Sequence, residues 1–523
     1  MPIIYEITFN SKSQYIKNLI VSLIKKSNIQ ASCEQNSHFI YIITNDTVQK
    51  TETFFKEIEN RLPLSIFMES SKIIENIPQG VSFLEPNDVQ PVLSLTNSEV
   101  LELIKHNDDS QKKSAKKILE EEIVNIATAT GECYFAKATQ ENRIKLEVYS
   151  NNIYMLITNT SAFETLFSLN QKDVELLCSI ERPLVKLKLN FKANAQSQYS
   201  PTNTIYAKMP YDKATFLLAY EAKALGLNAL IYCHTTPTCD AIKVGYVDKH
   251  IFVIEGNSGL FPKFDYSSSR VFNTSKEYFD FHGGVFKSIL TQFNKRTSSC
   301  IGVYFTNKNS NSEMVIYTPT HGKKTVVSVP NIYLNLATNL EEISEIDENT
   351  PRLIENYKKR FPHLFENTHL VFKDSCGFES IINLISYFLE IKNSREFESL
   401  AFNYSAKSGI NIDMKVIKID GVNYLDYRRI VQSMMSYKLA GVPNDLLAFS
   451  FYESLSEFIG NTVTQLKNEF ECNEVILCGN MFANTTLMEK TYKALNKTFN
   501  VIIPKEYPLD YNEYVVKVAP WAT

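Results

Sequence analysis

One stretch near the end of the sequence, Glu474 to Lys490, has residue types that could bind an anion. Val475 to Cys478 have strand character, Gly479 and Asn480 follow as a turn, and an apolar-spaced segment typical of a helix begins at once. The N–H groups at the start of a helix attract anions, and a residue without a side chain lets a phosphate or ribose come close. Cys478, Gly479 and Asn480 are therefore candidates for a nucleotide-binding turn. An ordinary strand-to-helix connection gives the same pattern and is the commoner case, since one glycine is a weak motif.

The nine cysteines give little evidence for a metal site. No pair has the C-x-x-C spacing that zinc ribbons use, so reduced thiols are the default. Cys233 and Cys239, with His234 between them, are the one group that resembles a ligand set. We expect no zinc there.

The composition limits the classes of partner. At 523 residues the chain has room for two to four domains, and its net charge of -4 gives no electrostatic reason for a nucleic-acid or membrane partner. No apolar run approaches the ~18 residues of a membrane span, and the N-terminus MPIIYEITFN lacks the layout of a signal peptide. We therefore expect a cytoplasmic protein. The 16 glycines in 523 residues, about 3%, are well under the usual ~7%, which argues against several intact phosphate loops.

The N-terminal 73 residues predict a small α+β module. Apolar residues at a spacing of 3.6 favour the first helix, and alternating patterns favour the strands. The predicted elements are strand Ile3 to Phe9, helix Ser13 to Lys26, strand Ala31 to Glu34, strand Phe39 to Thr44, helix Thr47 to Leu62 and strand Leu64 to Ile73. That order, βαββαβ, is typical of a ferredoxin-like fold.

Several segments, taken in order, resemble one family. The stretch from Glu474 is similar to the VVLSGGVFQN segment near the end of the HypF proteins, the carbamoyltransferases that mature nickel–iron hydrogenases. Upstream, DSCGFESIINLISYFLEI (374–391) is similar to the family's SSxGRLFDAVAALLG segment, and Phe397 to Ala401 lies where the family has YEGQA. Tyr437 to Pro443 and a predicted helix from Leu446 to Phe470 complete the run in the family's order. The resemblance implies an actin-like C-terminal domain.

The N-terminal module resembles the acylphosphatase-like domain that opens HypF proteins. There, one arginine grips the acyl phosphate and an asparagine positions water. The resemblance places Ile16 at the arginine position and Glu34 at the asparagine position. Isoleucine cannot bind a phosphate and a carboxylate repels one, so we expect no acylphosphatase activity. The family's two zinc-finger units are expected to be absent, because no cysteine lies between Cys33 and Cys133. Residues 74–110 are predicted to be a linker.

Residues 111–255 resemble the family's YrdC-like domain, which binds ATP and makes carbamoyl-adenylate. Glu181 to Leu187 match ARPIVLL, and Thr204 to Tyr211 match TLGVMLPY. Lys137 is placed at the family's lysine, while the glycines after it are replaced and the T-S-A-N turn becomes Cys233 to Thr236. The helices predicted in this part are Lys112 to Ile126, Asp173 to Cys178 and Lys213 to Leu225.

Residues 256–523 resemble a shortened actin-like (ASKHA) domain. Of the family's metal-binding histidine pair, His282 is the one candidate, with Tyr278 at the other position. A glycine-rich loop of the family is replaced at Phe305 to Ser310, and Asn480 replaces a second glycine in the turn. Asn484 matches the asparagine of VFQN, which is implied to face the nucleotide.

The sequence thus predicts an α+β and α/β multidomain protein with acylphosphatase-like (1–73), YrdC-like (111–255) and actin-like (256–523) modules. The resemblance implies hydrogenase maturation, with carbamoyl phosphate and ATP as substrates and HypE as partner. Because most matched catalytic positions have changed, we expect an accessory or scaffold protein. A weak or altered carbamoyltransferase and a nucleotide-sensing protein unrelated to hydrogenases remain alternatives. ATP is the expected cofactor, and a metal is doubtful.

Overall fold

The computed structural model describes most of the chain, in three sheets with their helices. The described residues are 2–11, 13–36, 38–86, 97–105, 109–150, 152–197, 200, 203–235, 242–255, 297–306, 312–330, 332, 335–366, 377–404, 406, 408–503 and 509. Backbone contacts divide the chain into two compact units, with the division between residues 245 and 264. The first sheet and most of the second belong to the first unit, residues 246–252 of the second sheet are assigned to the second unit, and the third sheet belongs to the second unit.

The first sheet has four strands in the order β2-β3-β1-β4, each antiparallel to its neighbour. Each of the two helices buries one stripe of apolar side chains against the sheet. The buried residues are one helical turn apart, Ile16 and Ile20 on the first helix and Phe54 and Ile58 on the second. The elements are β1 Ile3–Phe9, α1 Tyr15–Lys26, β2 Ala31–Gln35, β3 Phe39–Thr44, α2 Val48–Arg61 and β4 Met68–Ile74. This is the predicted βαββαβ order.

The second sheet has eight strands in the order β12-β11-β8-β9-β7-β10-β6-β5. Its core forms between two helices and one face of the sheet. The helices contribute Ile118, Leu218 and Ala222, and the sheet contributes Phe135 and Tyr232. The elements are α3 Asn97–Lys105, α4 Asp109–Leu119, β5 Val124–Thr128, β6 Gly131–Lys137, α5 Gln140–Glu147, β7 Tyr154–Ile157, α6 Ala162–Thr165, α7 Gln171–Cys178, β8 Leu184–Lys188, α8 Phe191–Ser197, β9 Thr204–Lys208, α9 Lys213–Ala224, β10 Ala229–His234, β11 Lys243–Val247 and β12 His250–Glu255.

One predicted element in this part was wrong. The helix expected from Lys112 to Ile126 ends at Leu119, because Glu121 takes a positive φ of 68°, and the strand β5 follows. The helix Asn97–Lys105 lies within residues 74–110, and the role of this segment as a linker stays a prediction.

The third sheet has seven strands in the order β16-β17-β15-β14-β13-β18-β19. β13 and β18 are parallel neighbours, with Ile301 opposite Val475 and Tyr304 opposite Cys478. The elements are β13 Cys300–Tyr304, β14 Glu313–Thr318, β15 Gly322–Ser328, α10 Leu336–Ser344, α11 Thr350–Arg360, a 3-10 helix Pro362–Phe365, α12 Gly377–Phe388, α13 Ser394–Asn403, β16 Val416–Ile419, β17 Val422–Leu425, α14 Tyr427–Leu439, α15 Asn444–Phe470, β18 Glu474–Cys478, a 3-10 helix Asn480–Ala483, α16 Thr485–Leu495 and β19 Asn500–Ile502.

Candidate functional site

The candidate nucleotide turn lies at the carboxyl end of β18. Because β13 and β18 are parallel, the residues after them, Phe305 and Gly479, emerge at the same edge of the sheet. Open α/β sheets bind ligands at this edge. The structure therefore puts the turn in a position where a ligand would be expected.

The backbone of Gly479 crosses that of Phe305 so closely that there is no room for a Cβ at residue 479. This contact is the Gly479 crossing. Its φ is +98°, and a Cβ built on it would lie 2.0 Å from the carbonyl oxygen of Phe305. The Phe305 N–H donates to the Cys478 carbonyl (3.0 Å), and the Met481 N–H donates to the Phe305 carbonyl (3.1 Å). The close approach that Gly479 permits is thus between two parts of this chain, whereas the sequence suggested an approach of a ligand. A nucleotide role for Gly479 stays a prediction.

The helix predicted directly after the turn begins as a short 3-10 helix. Asn480 begins a 3-10 helix, and α16 starts only at Thr485. The Oδ1 of Asn484 accepts a hydrogen bond from the Leu487 N–H (3.0 Å), which makes Asn484 the N-cap of α16. The N–H groups that would attract an anion therefore lie in the first turn of α16. One of them, the Leu487 N–H, already donates to the Asn484 side chain.

Asn484 also lies in a small polar group behind the turn. Its side chain hydrogen bonds with the Tyr452 hydroxyl, and Glu398 is close enough to act on the same tyrosine. Burial, with a contribution from Glu398, holds the pKa of Tyr452 well above its ordinary value, so the hydroxyl stays protonated. Glu398 and Asn484, both matched to the family in sequence, are thus brought together.

The remaining residues of the turn are buried or partly buried. The Cys478 Sγ lies 3.6 Å from the Val303 carbonyl oxygen, and burial raises the pKa of this thiol far above its ordinary value. Cys478 is therefore an unreactive thiol in the core.

After β13, the Ser312 side chain holds the backbone of Thr306. The Ser312 Oγ donates to the Thr306 carbonyl (3.0 Å) and accepts from the Thr306 N–H (2.9 Å).

Lys137, the candidate in the second sheet, is already ion paired. It ends β6, and its Nζ lies 2.5 Å from the Glu121 Oε1. The other oxygen of Glu121 accepts from the Asn142 amide (2.8 Å), which fixes the carboxylate. A phosphate would have to compete with Glu121 for this charge.

In the N-terminal module, the two positions matched to catalytic residues carry other interactions. Ile16 is fully buried in the core. Glu34 forms an ion pair with Lys17 (3.3 Å). The buried polar side chain that reaches the loop is Gln35, whose Nε2 donates to the carbonyls of Ser11 (2.9 Å) and Ser13 (3.0 Å).

Three described backbone N–H groups of this loop, those of residues 10, 11 and 13, donate within the module. Asn10 donates to the Phe67 carbonyl (2.9 Å), Ser11 donates to the Phe9 carbonyl (3.0 Å), and Ser13 donates to the Ser11 Oγ (3.1 Å). A phosphate cradle needs several N–H groups that converge on one point. The N–H groups of residues 10, 11 and 13 do not provide this.

Comparisons with known proteins agree with the fold. A family model described as the second subdomain of the Kae1-like domain of carbamoyltransferases matches residues 324–511. Protein HydE of Wolinella succinogenes is 22% identical over 558 aligned positions, which cover 95% of this chain and 97% of that protein. Full-length HypF, solved in a phosphate- and nucleotide-bound form, superposes with a TM-score of 0.64 at 11% identity, covering 99% of this chain and 98% of that one. The chain has a HypF-like fold.

A second solved structure extends this result. HypF of T. kodakarensis superposes with a TM-score of 0.67 at 12% identity, covering 99% of this chain and 97% of that one. The predicted fold class is therefore confirmed: a mixed α/β multidomain chain with several sheets, as in HypF. Within the described ranges, no helix combines the length and apolar character that crossing a bilayer requires.

Glu181, in the loop before β8, connects the first two sheets of the chain. The hydroxyls of Tyr15 and Ser65 both donate to its Oε1, and the Ile66 N–H donates to its Oε2 (3.1 Å). Glu181 is buried, and burial raises the pKa of its carboxyl group. The segment matched to ARPIVLL thus carries a buried acid on which the N-terminal module docks.

Sequence reasoning missed Gln35 and Glu181. Gln35 was identifiable: Cys33 is buried, and strand alternation places residue 35, and not Glu34, on the same inward face. Glu181 gave no local signal, because its partners are more than 100 residues away in the sequence.

The candidate metal ligands do not form a described site. Cys239, Tyr278 and His282 lie outside the described residues. Cys233 is fully buried, and burial raises its pKa to about 11, so it is a poor ligand. Among the residues that the structure describes, no three His, Cys, Asp or Glu side chains are arranged to hold a metal ion.

We therefore predict that the purified full-length protein carries no stoichiometric zinc, because its cysteines lack zinc-ribbon spacing. Elemental analysis is the measurement. About one zinc per chain, lost in Cys233→Ser or Cys239→Ser but retained in the exposed-thiol control Cys178→Ser, would contradict the prediction.

Proposed function

We propose that this chain serves the maturation of nickel–iron hydrogenases in the cytoplasm as an accessory protein, which binds partner proteins but transfers no carbamoyl group. The observation that carries the proposal is the loop before α1, where the N–H groups of residues 10, 11 and 13 are already hydrogen bonded within the module. At the position assigned to the phosphate-binding arginine stands Ile16, whose side chain is in the core. Acyl phosphate hydrolysis needs both the guanidinium and the converging donors.

The partner proposed is HypE, as the HypF resemblance implies. In HypF proteins the carbamoyl group passes to the terminal cysteine of HypE. The HypF-like fold of this chain supports a partner of the kind that HypF proteins bind, even where the catalytic residues have changed.

The proposal includes weak ATP binding. One solved HypF is described as phosphate- and nucleotide-bound. In this chain Glu398 and Asn484, both matched to the family, lie together beside Tyr452 at the sheet edge where ligands bind. The same observation favours a second candidate function, an altered carbamoyltransferase that still uses ATP.

One assay separates the two candidates: carbamoyl-phosphate-dependent exchange of pyrophosphate into ATP. The full-length chain is expected to give no exchange and no hydrolysis of acetyl or carbamoyl phosphate above buffer, while ATP raises its melting temperature slightly. The HypF protein solved with phosphate and nucleotide serves as the positive control. Exchange clearly above the background rate would overturn the accessory proposal in favour of the altered enzyme. Ile16→Arg is not a useful rescue, because it would bury a guanidinium in the core.

A further inference from the structure

The segment after β4 returns to the outer edge of the first sheet. β2 is the end strand of this sheet, so one side of it faces away from β3. The Leu84 N–H donates to the Gln35 carbonyl of β2 (2.8 Å), and the Phe83 ring meets the Tyr41 ring edge-on, with 6.1 Å between the ring centres. Residues 81–86, which form no helix or strand of their own, are therefore attached to the edge of β2. We call these six residues the strap.

The strap is also attached to the loop between β1 and α1. The Gln14 Nε2 donates to the Glu85 carbonyl (2.6 Å), and Gln14 is the last residue before α1. Gln35 joins the two attachments, because its side chain donates to two carbonyls of the loop while its own carbonyl accepts from Leu84. The strap thus lies against the loop to which the family resemblance assigns the acyl phosphate.

Both hydrogen bonds of the strap use its backbone. Leu84 contributes its N–H and Glu85 its carbonyl, so another extended peptide could make the same two bonds. Peptides that add to a sheet edge gain affinity from main-chain hydrogen bonds and specificity from side chains. Gln35 is 0% exposed, so its carbonyl would lose its partner if the strap left and nothing replaced it. Exchange of the strap for another N–H donor is therefore favoured over simple opening.

The strap is held loosely for a segment with this position. Each of its six residues is exposed or half-buried, and Phe83 is 38% exposed. The turn before it contains Gly80, which has a φ of +80° and nothing within 4 Å of a Cβ built on it. Few buried apolar contacts and exposed hydrogen bonds are typical of segments that open locally at a small free-energy cost.

We propose that the outer edge of β2, with Gln14 and Tyr41, is a docking site for an extended segment of a partner protein, and that the strap fills this site in cis until the partner displaces it. The occupant in the structure defines the chemistry of the partner segment: an extended backbone with an aromatic residue followed by a branched apolar residue, as in Phe83 and Leu84. The inference is independent of the proposed function, since a peptide can add to this edge whether or not a carbamoyl group is transferred.

A labelled peptide with the sequence of residues 78–86, PQGVSFLEP, is the probe, and fluorescence anisotropy on the full-length chain is the measurement. Leu84→Pro in the chain removes the N–H that donates to Gln35 and so releases the strap. We expect the peptide to bind this variant at least tenfold more tightly than the unmodified chain, where the strap competes at a high effective concentration. Ser82→Ala, at an exposed strap residue, is the control and should behave as the unmodified chain.

A second peptide tests the backbone bond itself. N-methylleucine at the position of Leu84 removes the N–H and keeps the side chain, so it should bind the Leu84→Pro chain roughly fivefold more weakly, the size of one hydrogen bond. If Leu84→Pro does not fold, Phe83→Ser serves as the releasing variant, since it removes the ring contact with Tyr41.

Three outcomes would overturn the proposal. The absence of peptide binding to a folded releasing variant, or equal binding of the two peptides, would show that the edge of β2 is not a docking site. Equal binding to the Leu84→Pro and Ser82→Ala chains would show that the strap does not fill the site. A dimer of the unmodified chain that dissociates in excess peptide would mean that two copies exchange their straps, and would overturn a different protein as the partner.

Discussion

Gly479→Ala is expected to lower the free energy of unfolding of the C-terminal module by about 2–5 kcal/mol, the sum of a strained positive φ and an overpacked contact. The added Cβ would lie 2.0 Å from the Phe305 carbonyl oxygen and 2.6 Å from its carbonyl carbon. Neither atom is at the end of a flexible side chain. The Phe305 backbone is also held by hydrogen bonds to Cys478 and Met481, so it cannot move without breaking them.

Gly441→Ala is the matched control for this prediction. Gly441 belongs to the same module and has a φ of +80°, but nothing lies within 4 Å of a Cβ built on it. It should lose only the backbone term, about 1 kcal/mol. Urea unfolding of both variants measures the difference. Equal losses in the two variants would mean that the crossing at Phe305 does not constrain residue 479.

This result also changes how a nucleotide role is tested. A variant at residue 479 would lose ATP binding through misfolding, so loss of binding there proves nothing about a ligand. Glu398→Gln is the better variant, since Glu398 lies in the polar group with Asn484 and Tyr452 but takes no part in the crossing.

The elements with strong periodicity were predictable from the sequence. The strands Ile3–Phe9 and Phe39–Thr44 have the predicted bounds, because alternation of apolar residues is a local signal. The cap at Asn484 was readable in the same way, since asparagine before a helix is a known N-cap. The nucleotide-facing role expected of Asn484 came from the family resemblance and not from this local pattern.

Features that depend on distant contacts were not predictable. The Gly479 crossing involves Phe305, which is 174 positions earlier in the chain, and no local pattern links the two residues. The ion pair of Lys137 depends on Glu121, whose position follows from an early helix end that periodicity did not reveal. In each case the local residue type was noticed, but its partner decides what it does.

The second large effect is expected at Glu181. Glu181→Ala should lower the free energy of unfolding of the N-terminal unit by roughly 2–5 kcal/mol, because it leaves the buried Tyr15 and Ser65 hydroxyls and the Ile66 N–H without an acceptor. Urea unfolding measures the loss. Glu175→Ala, at a neighbouring surface position paired only with Lys172 and Gln171, is the control and should change the free energy by no more than about 0.5 kcal/mol. A loss at Glu181 as small as that of the control would exclude a docking role.

Glu181 should also make the stability of this unit depend on pH. Burial raises the pKa of Glu181 in the folded state above the unfolded value of about 4.3. The folded state therefore binds its proton more tightly, so the contribution to stability is full below about pH 4.3 and is lost as pH rises through the raised pKa. Tyr15 remains a protonated donor throughout, because burial, followed by Glu181 itself, holds its pKa well above the ordinary value.

Glu181→Gln cannot ionise, so the free energy of unfolding of this variant, measured from pH 5 to pH 8, should lose this part of the pH dependence relative to the unmodified chain. Identical pH profiles for the two proteins would show that Glu181 does not change its protonation on unfolding, and the docking contact would then be a hydrogen-bonded carboxylate at every pH in that range.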